Sequence, residues 1–548
     1  MTTRRSETLA RLTRETFDIV VVGGGATGAG VARDATMRRL KVALLEQRDF
    51  GSGTSSRSSK LIHGGLRYLQ HAQFRLVFEG TSERSLLIGL APHLVRPIPF
   101  LMPTYKGRFP GLAMMDAGLW IYDALAKFRV HRHTKHRARS IAELEPQLNR
   151  EKLTGGIVYY DAVTDDARLT LENVLESSEL GAAALNYARV KGVQRKGGRV
   201  SAVEVEDLLG GRTVVVRGRV FVNATGPWSD DTLLQMGEAK SRRLRPTKGT
   251  HVLIDRERLP ANHAVVMATH DKRITFTIPW HRRTVIGTTD TDYHGDLDRV
   301  VASGADVDYL LKTANHYFPG TKLTRGDVLS TWAGLRPLIG ADAVKTSDVS
   351  REHELFTEPG GVLTITGGKL TTYRRMAREV VDEAIELLRN LGFAEDVGPC
   401  LTMRRHLRGG VGLGKTVTPE SVGDKLAARA DIPADVALNL ALTYGARAPE
   451  LLPILGRDRA SQQRLDPEFA YVWAQLDYAV ENEMAATVDD FLGRRVPLLL
   501  MSRDQASGVA AEVARRMGVL LGWDDATRAR MLADYERIVA DSRAFRSE

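Results

Sequence analysis

A chain of 548 residues is longer than one hydrophobic core supports, so two or three domains are expected at roughly 100–200 residues each. Its net charge of +10, from 77 Lys and Arg against 67 Asp and Glu, suits an anionic substrate, nucleic acid or an anionic membrane face. The single cysteine, Cys400, excludes an intramolecular disulfide and any cysteine metal cluster, and no metal site is expected. Residues 1–16 carry arginines but no apolar core of a signal peptide, and no run approaches the ~18 apolar residues of a membrane span. The chain is therefore expected in the cytoplasm, with those residues as an N-terminal extension.

The stretch FDIVVVGGGATGAGVARDATMRRLKVALLE, 17–46, predicts a strand, a turn, a helix and a second strand. Asp18 to Val22 is the short β-branched run of a buried parallel strand. Gly23, Gly25 and Gly28 then hold the G-x-G-x-x-G spacing, for a tight turn, for backbone approach to a pyrophosphate and for close helix–strand packing. Thr27 lies at the start of the helix, whose N–H groups and dipole favour an anion. Glu46 ends the second strand, 18 residues beyond Gly28, where a carboxylate can accept from ribose hydroxyls. An adenosine diphosphate moiety is the expected ligand.

Residues 51–70, GSGTSSRSSKLIHGGLRYLQ, form a polar loop at the ligand edge of such a sheet. In residues 112–127, Leu112, Met115, Leu119, Tyr122 and Ala126 recur at helical spacing ahead of the basic run 128–139, the pattern of a helix lying on anionic lipid. From Gly155 to about Leu329 the chain is strand-rich, with Val203 and Val205 facing Val214 and Val216 across Gly210-Gly211 as a hairpin and Val220 to Trp228 as another strand. Gly367-Gly368-Lys369 precedes a long amphipathic helix opening at about Thr371. Residues 395–424 break the pattern, and 425–548 read as helical, with Phe469, Val472, Trp473, Leu476 and Val480 spaced for one buried face.

Binding elements that recur more than 300 residues apart suggest an extended ligand whose reactive ring is reached by the later half of the chain. A flavin fits, because the ring gains negative charge on accepting hydride and a helix N-terminus near Thr371 stabilises it. No dense basic stripe is interleaved with aromatics, so nucleic acid is not an expected partner.

At the level of motifs, DIVVVGGGATGAG, SSKLIHGGLRYL (58–69), VNATGPW, KGTHVLI (248–254), IPW with IGTTD, GLRPL and GGKLTTYR resemble the FAD-dependent glycerol-3-phosphate dehydrogenases of aerobic bacteria. The resemblance runs from about Phe17 to FLGRR at 491–495. It implies an α/β fold: a Rossmann-like FAD-binding domain carrying a strand-rich substrate (cap) domain within 17–394, a linker over 395–424 and an α-helical C-terminal domain over 425–548. It further implies oxidation of sn-glycerol 3-phosphate to dihydroxyacetone phosphate, FAD as cofactor, a quinone as acceptor, a peripheral place on the inner membrane face and a homodimer. Gly23, Gly25, Thr27, Gly28, Glu46, Thr54, Ser55, Ser56, Ser59, Lys60, Ala224, Thr225, Gly226, Gly367, Gly368, Lys369, Leu370 and Thr371 would hold FAD. Arg67, Tyr68, His251, Arg336 and Lys369 would line the substrate pocket, with His251 the first and His63 the second candidate base. A glycerol-3-phosphate oxidase using oxygen, or an amine or amino-acid oxidase sharing GLRP, remains an alternative.

Overall fold

The computed structural model describes residues 3–71, 73–127, 131–239, 241–271, 273–340, 352–393 and 396–548. Its organising strand is Thr16–Val22, which pairs in parallel with Val42–Leu45 on one side and Arg212–Asn223 on the other. Neighbours on both sides and cover on both faces are why Ile19 to Val22 of this strand are β-branched, apolar and buried. The sheet continues in parallel through Ala183–Leu185 beyond Val42–Leu45 and through Val362–Gly367 beyond Arg212–Asn223, with His353–Thr357 antiparallel at the edge. The helix Ala26–Met37 packs over this sheet between Asp166–Glu179 and Tyr373–Asn390. Its Ala29, Ala32 and Ala35 allow close approach, and they share a core with Ile19, Val21, Leu44, Val222, Ala377 and Val381.

The other face of the sheet buries Phe17, Val20 and Val22 against Leu9 and Leu12. The first residues therefore do more than extend the chain. Thr3–Arg14 is a helix, and Arg5 donates to the buried Asp207 at 2.6 Å.

The hairpin read around Gly210-Gly211 is present as Arg199–Asp207 and Arg212–Asn223, in the register Val205 to Val214 and Val203 to Val216. The separate strand expected from Val220 is instead the second half of the same strand, which begins antiparallel in the hairpin and ends parallel in the central sheet. A second, largely antiparallel sheet forms the cap. In it Arg96–Tyr105 pairs with Leu153–Val163, and Leu244–Asp255 lies between Arg283–Gly287 and Val328–Ile339.

The helix at 112–127 corrects one expectation. Leu112–Leu125 is helical, but its stripe of Leu119, Tyr122 and the following Ala126 is buried in the cap core, because that face packs on the strand Leu153–Val163. The exposed apolar residues are those of the opposite face: Met114, Trp120 and Ile121. Residues 128–130 of the basic run lie outside the described residues, and its His133 is buried, hydrogen-bonded to Asp123 at 2.7 Å and to Asp116 at 3.1 Å.

The C-terminal region is helical from Pro419–Ala430 to Asp525–Ser542. Phe469, Val472, Trp473, Leu476 and Val480 are all buried, yet the helix begins only at Ala474. Val472 belongs to the core around Leu440 and Tyr444, whereas the other four face the cap core, so the spacing marked two contacts rather than one face.

Candidate active site

Four parallel strands end on one ledge. Gly23 follows Thr16–Val22, Glu46 follows Val42–Leu45, Ala224 follows Arg212–Asn223, and Gly367 closes Val362–Gly367. The carboxyl edge of such a sheet is where nucleotides bind, and a cavity of about 430 Å³ lies along it.

At one end is the glycine turn. Gly23 has φ +105°, and a Cβ there would lie 2.6 Å from the carbonyl oxygen of Ala224. A Cβ on Gly28 would lie 1.9 Å from the Gly23 carbonyl oxygen, so the third glycine sets the helix against the strand rather than facing the cavity. Gly25 opens the helix without a capping side chain, and the Ala26 N–H is met by Ser55 Oγ at 2.8 Å. Glu46 accepts from the N–H groups of Gly24 at 2.7 Å and Arg48 at 2.8 Å. Burial pushes its carboxyl up, and those two donors pull it back.

The far end is built from distant segments. Gly367 and Gly368 both have positive φ, +78° and +75°, and Cβ atoms there would lie 2.5 Å from the Glu352 carbonyl and 2.4 Å from Met376 Sδ. Lys369 then leads into the tight turn Leu370–Thr372, and the α-helix starts at Tyr373, two residues later than the sequence suggests. Thr371 Oγ1 lies 3.2 Å from both the N–H and the carbonyl of His63, tying this turn to the loop after the second strand. Lys369 Nζ sits 3.7 Å above the ring of Tyr68.

Gly23, Gly25, Thr27, Glu46, Thr54, Ser55, Ser59, His63, Tyr68, Ala224, Thr225, Gly226, His251, Arg336 and Gly367 to Thr371 all border this cavity. Gly28, Ser56 and Lys60 do not. Lys60 was expected at the cofactor, but its ammonium turns into the protein, to Asp166 at 2.7 Å, against the rings of Trp280 and Trp332. The side chain of Arg67 lies outside the described residues.

His251 is held from several sides. It stands opposite Trp332 in the cap sheet, its ring stacks on that indole with centroids 5.0 Å apart, and Nε2 is joined to Ser59 Oγ at 2.8 Å. Burial, then the charge of Arg336, then that of Lys60, hold its imidazole well below the ordinary histidine range. Arg336 donates to Asp290 Oδ1 at 3.1 Å and to the Thr289 carbonyl at 3.0 Å.

Sequence reasoning missed several residues of the cavity wall. Val190 enters from the strand Ala188–Lys196, and Trp228 closes over Gly53 and donates through Nε1 to Asp298 at 3.0 Å. Arg57, by contrast, belongs to the polar loop expected at the ligand edge; it lies beneath Gly334 and donates to the Ala333 carbonyl at 3.4 Å. Valine alternation at 190 signals a strand only, and nothing local to Trp228 marks it as a wall.

An anion seat at a helix start, a buried acid at the second strand end, a long ledge, and a second positive-φ glycine pair before a helix together fit a flavin dinucleotide. The fold and ledge are those of FAD-dependent oxidoreductases, and the family model described as "FAD dependent oxidoreductase" matches residues 18–374. A second, described as "C-terminal domain of alpha-glycerophosphate oxidase", matches 400–528. The aerobic glycerol-3-phosphate dehydrogenase of Bacillus subtilis is 35% identical over 98% of this chain and 97% of its own. Glycerol-3-phosphate dehydrogenase 2 of Mycobacterium tuberculosis is 39% identical over 97% of this chain and 89% of its own. The crystal structure of the glycerol-3-phosphate dehydrogenase from Bacillus halodurans complexed with FAD superposes with a TM-score of 0.82, at 33% identity and 98% coverage of both chains. The chain belongs to the family of FAD-dependent aerobic glycerol-3-phosphate dehydrogenases.

Because a Cβ on Gly28 would fall 1.9 Å from the Gly23 carbonyl oxygen, Gly28→Ala must push helix and strand apart where the cofactor's diphosphate would sit. Titration of the apoprotein by flavin fluorescence is expected to give an FAD dissociation constant raised at least tenfold, a loss of about 1.4 kcal/mol. Unchanged affinity would contradict the placement of the turn.

Proposed function

We propose that the protein oxidises sn-glycerol 3-phosphate to dihydroxyacetone phosphate and passes the electrons to a membrane quinone, as a peripheral protein on the inner membrane face. The observation carrying the substrate is that Arg336, Lys369, Tyr68, His251 and His63 all line the same cavity as the glycine turn, with Lys369 3.7 Å over the Tyr68 ring and the charge of Arg336 acting on His251. Arginine and lysine suit a phosphate dianion, arginine gripping two oxygens at once. FAD, when bound, supplies the hydride acceptor.

In this reading Arg336 and Lys369 hold the phosphate, and Asp290 fixes the direction of the Arg336 guanidinium. His251 takes the hydroxyl proton as hydride leaves the same carbon, with His63 the second candidate. Burial, with the neighbouring cations Arg336 and Lys60, keeps the His251 imidazole neutral, while Trp332 and Ser59 fix its plane and its Nε2. The buried Trp332 and Trp280 exclude water from that side.

Arg336→Ala is expected to raise KM for glycerol 3-phosphate roughly 10–150-fold, the worth of a charge-assisted hydrogen bond at about 1.5–3 kcal/mol, while FAD stays bound. Loss of the yellow colour instead would place Arg336 on the cofactor.

The sign of the His251 shift gives a pH test. A base must be neutral, and a depressed folded-state pKa keeps it neutral as pH falls through the ordinary histidine value of about 6.5. Flavin reduction at saturating substrate should therefore hold its rate down through that region and fall only well below it. An acid limb centred at 6.5 or above would remove His251 as the base.

The membrane part rests on the exposed face of Leu112–Leu125. Trp120 is 51% and Ile121 46% exposed, and Met114, Phe74, Phe78 and Phe109 are also exposed large apolar residues. Lys127 lies 5.6 Å over the Phe78 ring, and Lys106 and Arg108 are exposed beside Phe109, a basic rim suited to anionic lipid. No helix among the described residues is long and apolar enough to cross a membrane. Trp120→Glu with Ile121→Glu is expected to abolish co-sedimentation with anionic vesicles and turnover with quinone dissolved in them, while turnover with a water-soluble dye is kept. Equal quinone turnover with and without the two substitutions would refute this face.

A further inference from the structure

The motif FLGRR sits in the C-terminal helical region, but its two arginines end at the nucleotide-binding strand. Asp490–Arg495 forms one wide helical turn. From it Arg494 Nε donates to Asp49 Oδ2 at 2.6 Å, and Arg495 donates to both Asp49 oxygens, at 2.6 and 2.9 Å. Arg495 also donates to the Glu483 carbonyl at 2.7 Å, so it spans the two regions. Asp49 is fully buried; burial pushes its carboxyl up, but Arg495 and Arg494 outweigh this and hold it at about 2. A buried carboxylate deprived of such partners is strongly destabilised where it stands.

Asp49 lies three residues beyond Glu46, in the segment that backs the glycine turn. Its own carbonyl accepts from Ser52 N–H at 3.1 Å, and Gly51 N–H donates to the Gly24 carbonyl at 3.0 Å. The ring of Phe50 presses so closely on Gly24 that a Cβ there would lie 2.6 Å from it. A second route runs beside the first. Asp490 accepts from the Tyr187 hydroxyl at 2.6 Å, while Tyr187 N–H donates to the Arg48 carbonyl at 2.9 Å and Ala188 N–H to that of Glu46 at 2.7 Å. Asn186 closes the set by donating to Asp49 at 3.3 Å and to the Met484 carbonyl at 2.9 Å. Residues 46–51 are thus clamped from outside by residues 484–495.

We propose that docking of the C-terminal helical region and binding of FAD are thermodynamically linked through Asp49, with Arg494 and Arg495 acting as positioning residues for the adenosine end of the cofactor. The arginines border no part of the cavity; they act by fixing the segment that carries the ribose acid and covers the glycine turn. Linkage is reciprocal, so FAD must hold the arginine turn in place as much as the turn holds the FAD segment. A merely structural ion pair would stabilise the fold equally with and without cofactor.

The test uses the full-length protein, as apoprotein freed of flavin and after saturation with FAD. Amide hydrogen exchange across residues 483–496 is expected to slow at least fivefold on adding FAD. Arg495→Lys, which keeps the charge but loses the two-pronged grip, is expected to raise the FAD dissociation constant at least tenfold in fluorescence titration, with the far-ultraviolet circular dichroism of its apoprotein unchanged. Arg515→Gln, an exposed arginine of the same region paired with Glu512 at 2.7 Å within its own helix Ser507–Leu521, should leave that constant unaltered. Exchange at 483–496 indifferent to FAD, or a folded Arg495→Lys protein binding FAD as the wild type does, overturns the proposal. Should Arg495→Lys fail to fold, the exchange measurement on the wild-type chain decides.

Discussion

The helix Ala26–Met37 lies so close on the strand Thr16–Val22 that a Cβ on Gly28 would fall 1.9 Å from the Gly23 carbonyl oxygen, and most of the site follows from that closeness. With no side chain at either position, the helix start comes down onto the strand end and its N–H groups reach the ledge. The same closeness forces small residues along the helix, Ala29, Ala32 and Ala35, and brings Tyr373–Asn390 down beside it, where Gly30 faces Ala377 and Tyr373. That second helix carries at its start the turn Gly367 to Thr372, so one steric constraint positions both ends of the flavin ledge.

The substrate end obeys a different logic. Its residues come from a loop, two cap strands and a helix entry, and each is held by a polar or aromatic partner: His251 by Trp332 and Ser59, Arg336 by Asp290, the His63 backbone by Thr371, Lys369 over Tyr68. Lys60 supports this set from behind, ion-paired to Asp166 and shielded by two indoles. Its ammonium stays out of the cavity, and its charge adds to burial and Arg336 in holding the His251 imidazole below the ordinary histidine range, as the proposed base role requires.

Much of the ledge was legible in the sequence because local rules dictate it. The glycine spacing, the acid after the second strand and the hairpin at Gly210-Gly211 each depend on residues within a few positions of one another. What escaped depends on contacts between distant segments. Nothing near Lys60 foretells Asp166, which lies 106 residues on. The stripe at 112–126 has the spacing of either a lipid-facing or a core-facing helix, and only the strand Leu153–Val163 packed against it decides that Trp120 and Ile121 point outward. Arg212–Asn223 looked like two strands because its apolar pattern changes where the partners change, from a hairpin half-exposed to solvent to a buried parallel sheet. The role of FLGRR was equally hidden, since its acceptor Asp49 is more than 400 residues away.

In the proposed function, the cations Arg336 and Lys369 on the flavin ledge select a phosphorylated alcohol. The most direct measurement is the visible spectrum of the purified protein under anaerobic conditions, before and after adding glycerol 3-phosphate, and separately glycine or sarcosine. Bleaching of the oxidised flavin bands by glycerol 3-phosphate alone is the predicted result. Bleaching by glycine or sarcosine, with the spectrum unmoved by glycerol 3-phosphate, would contradict it.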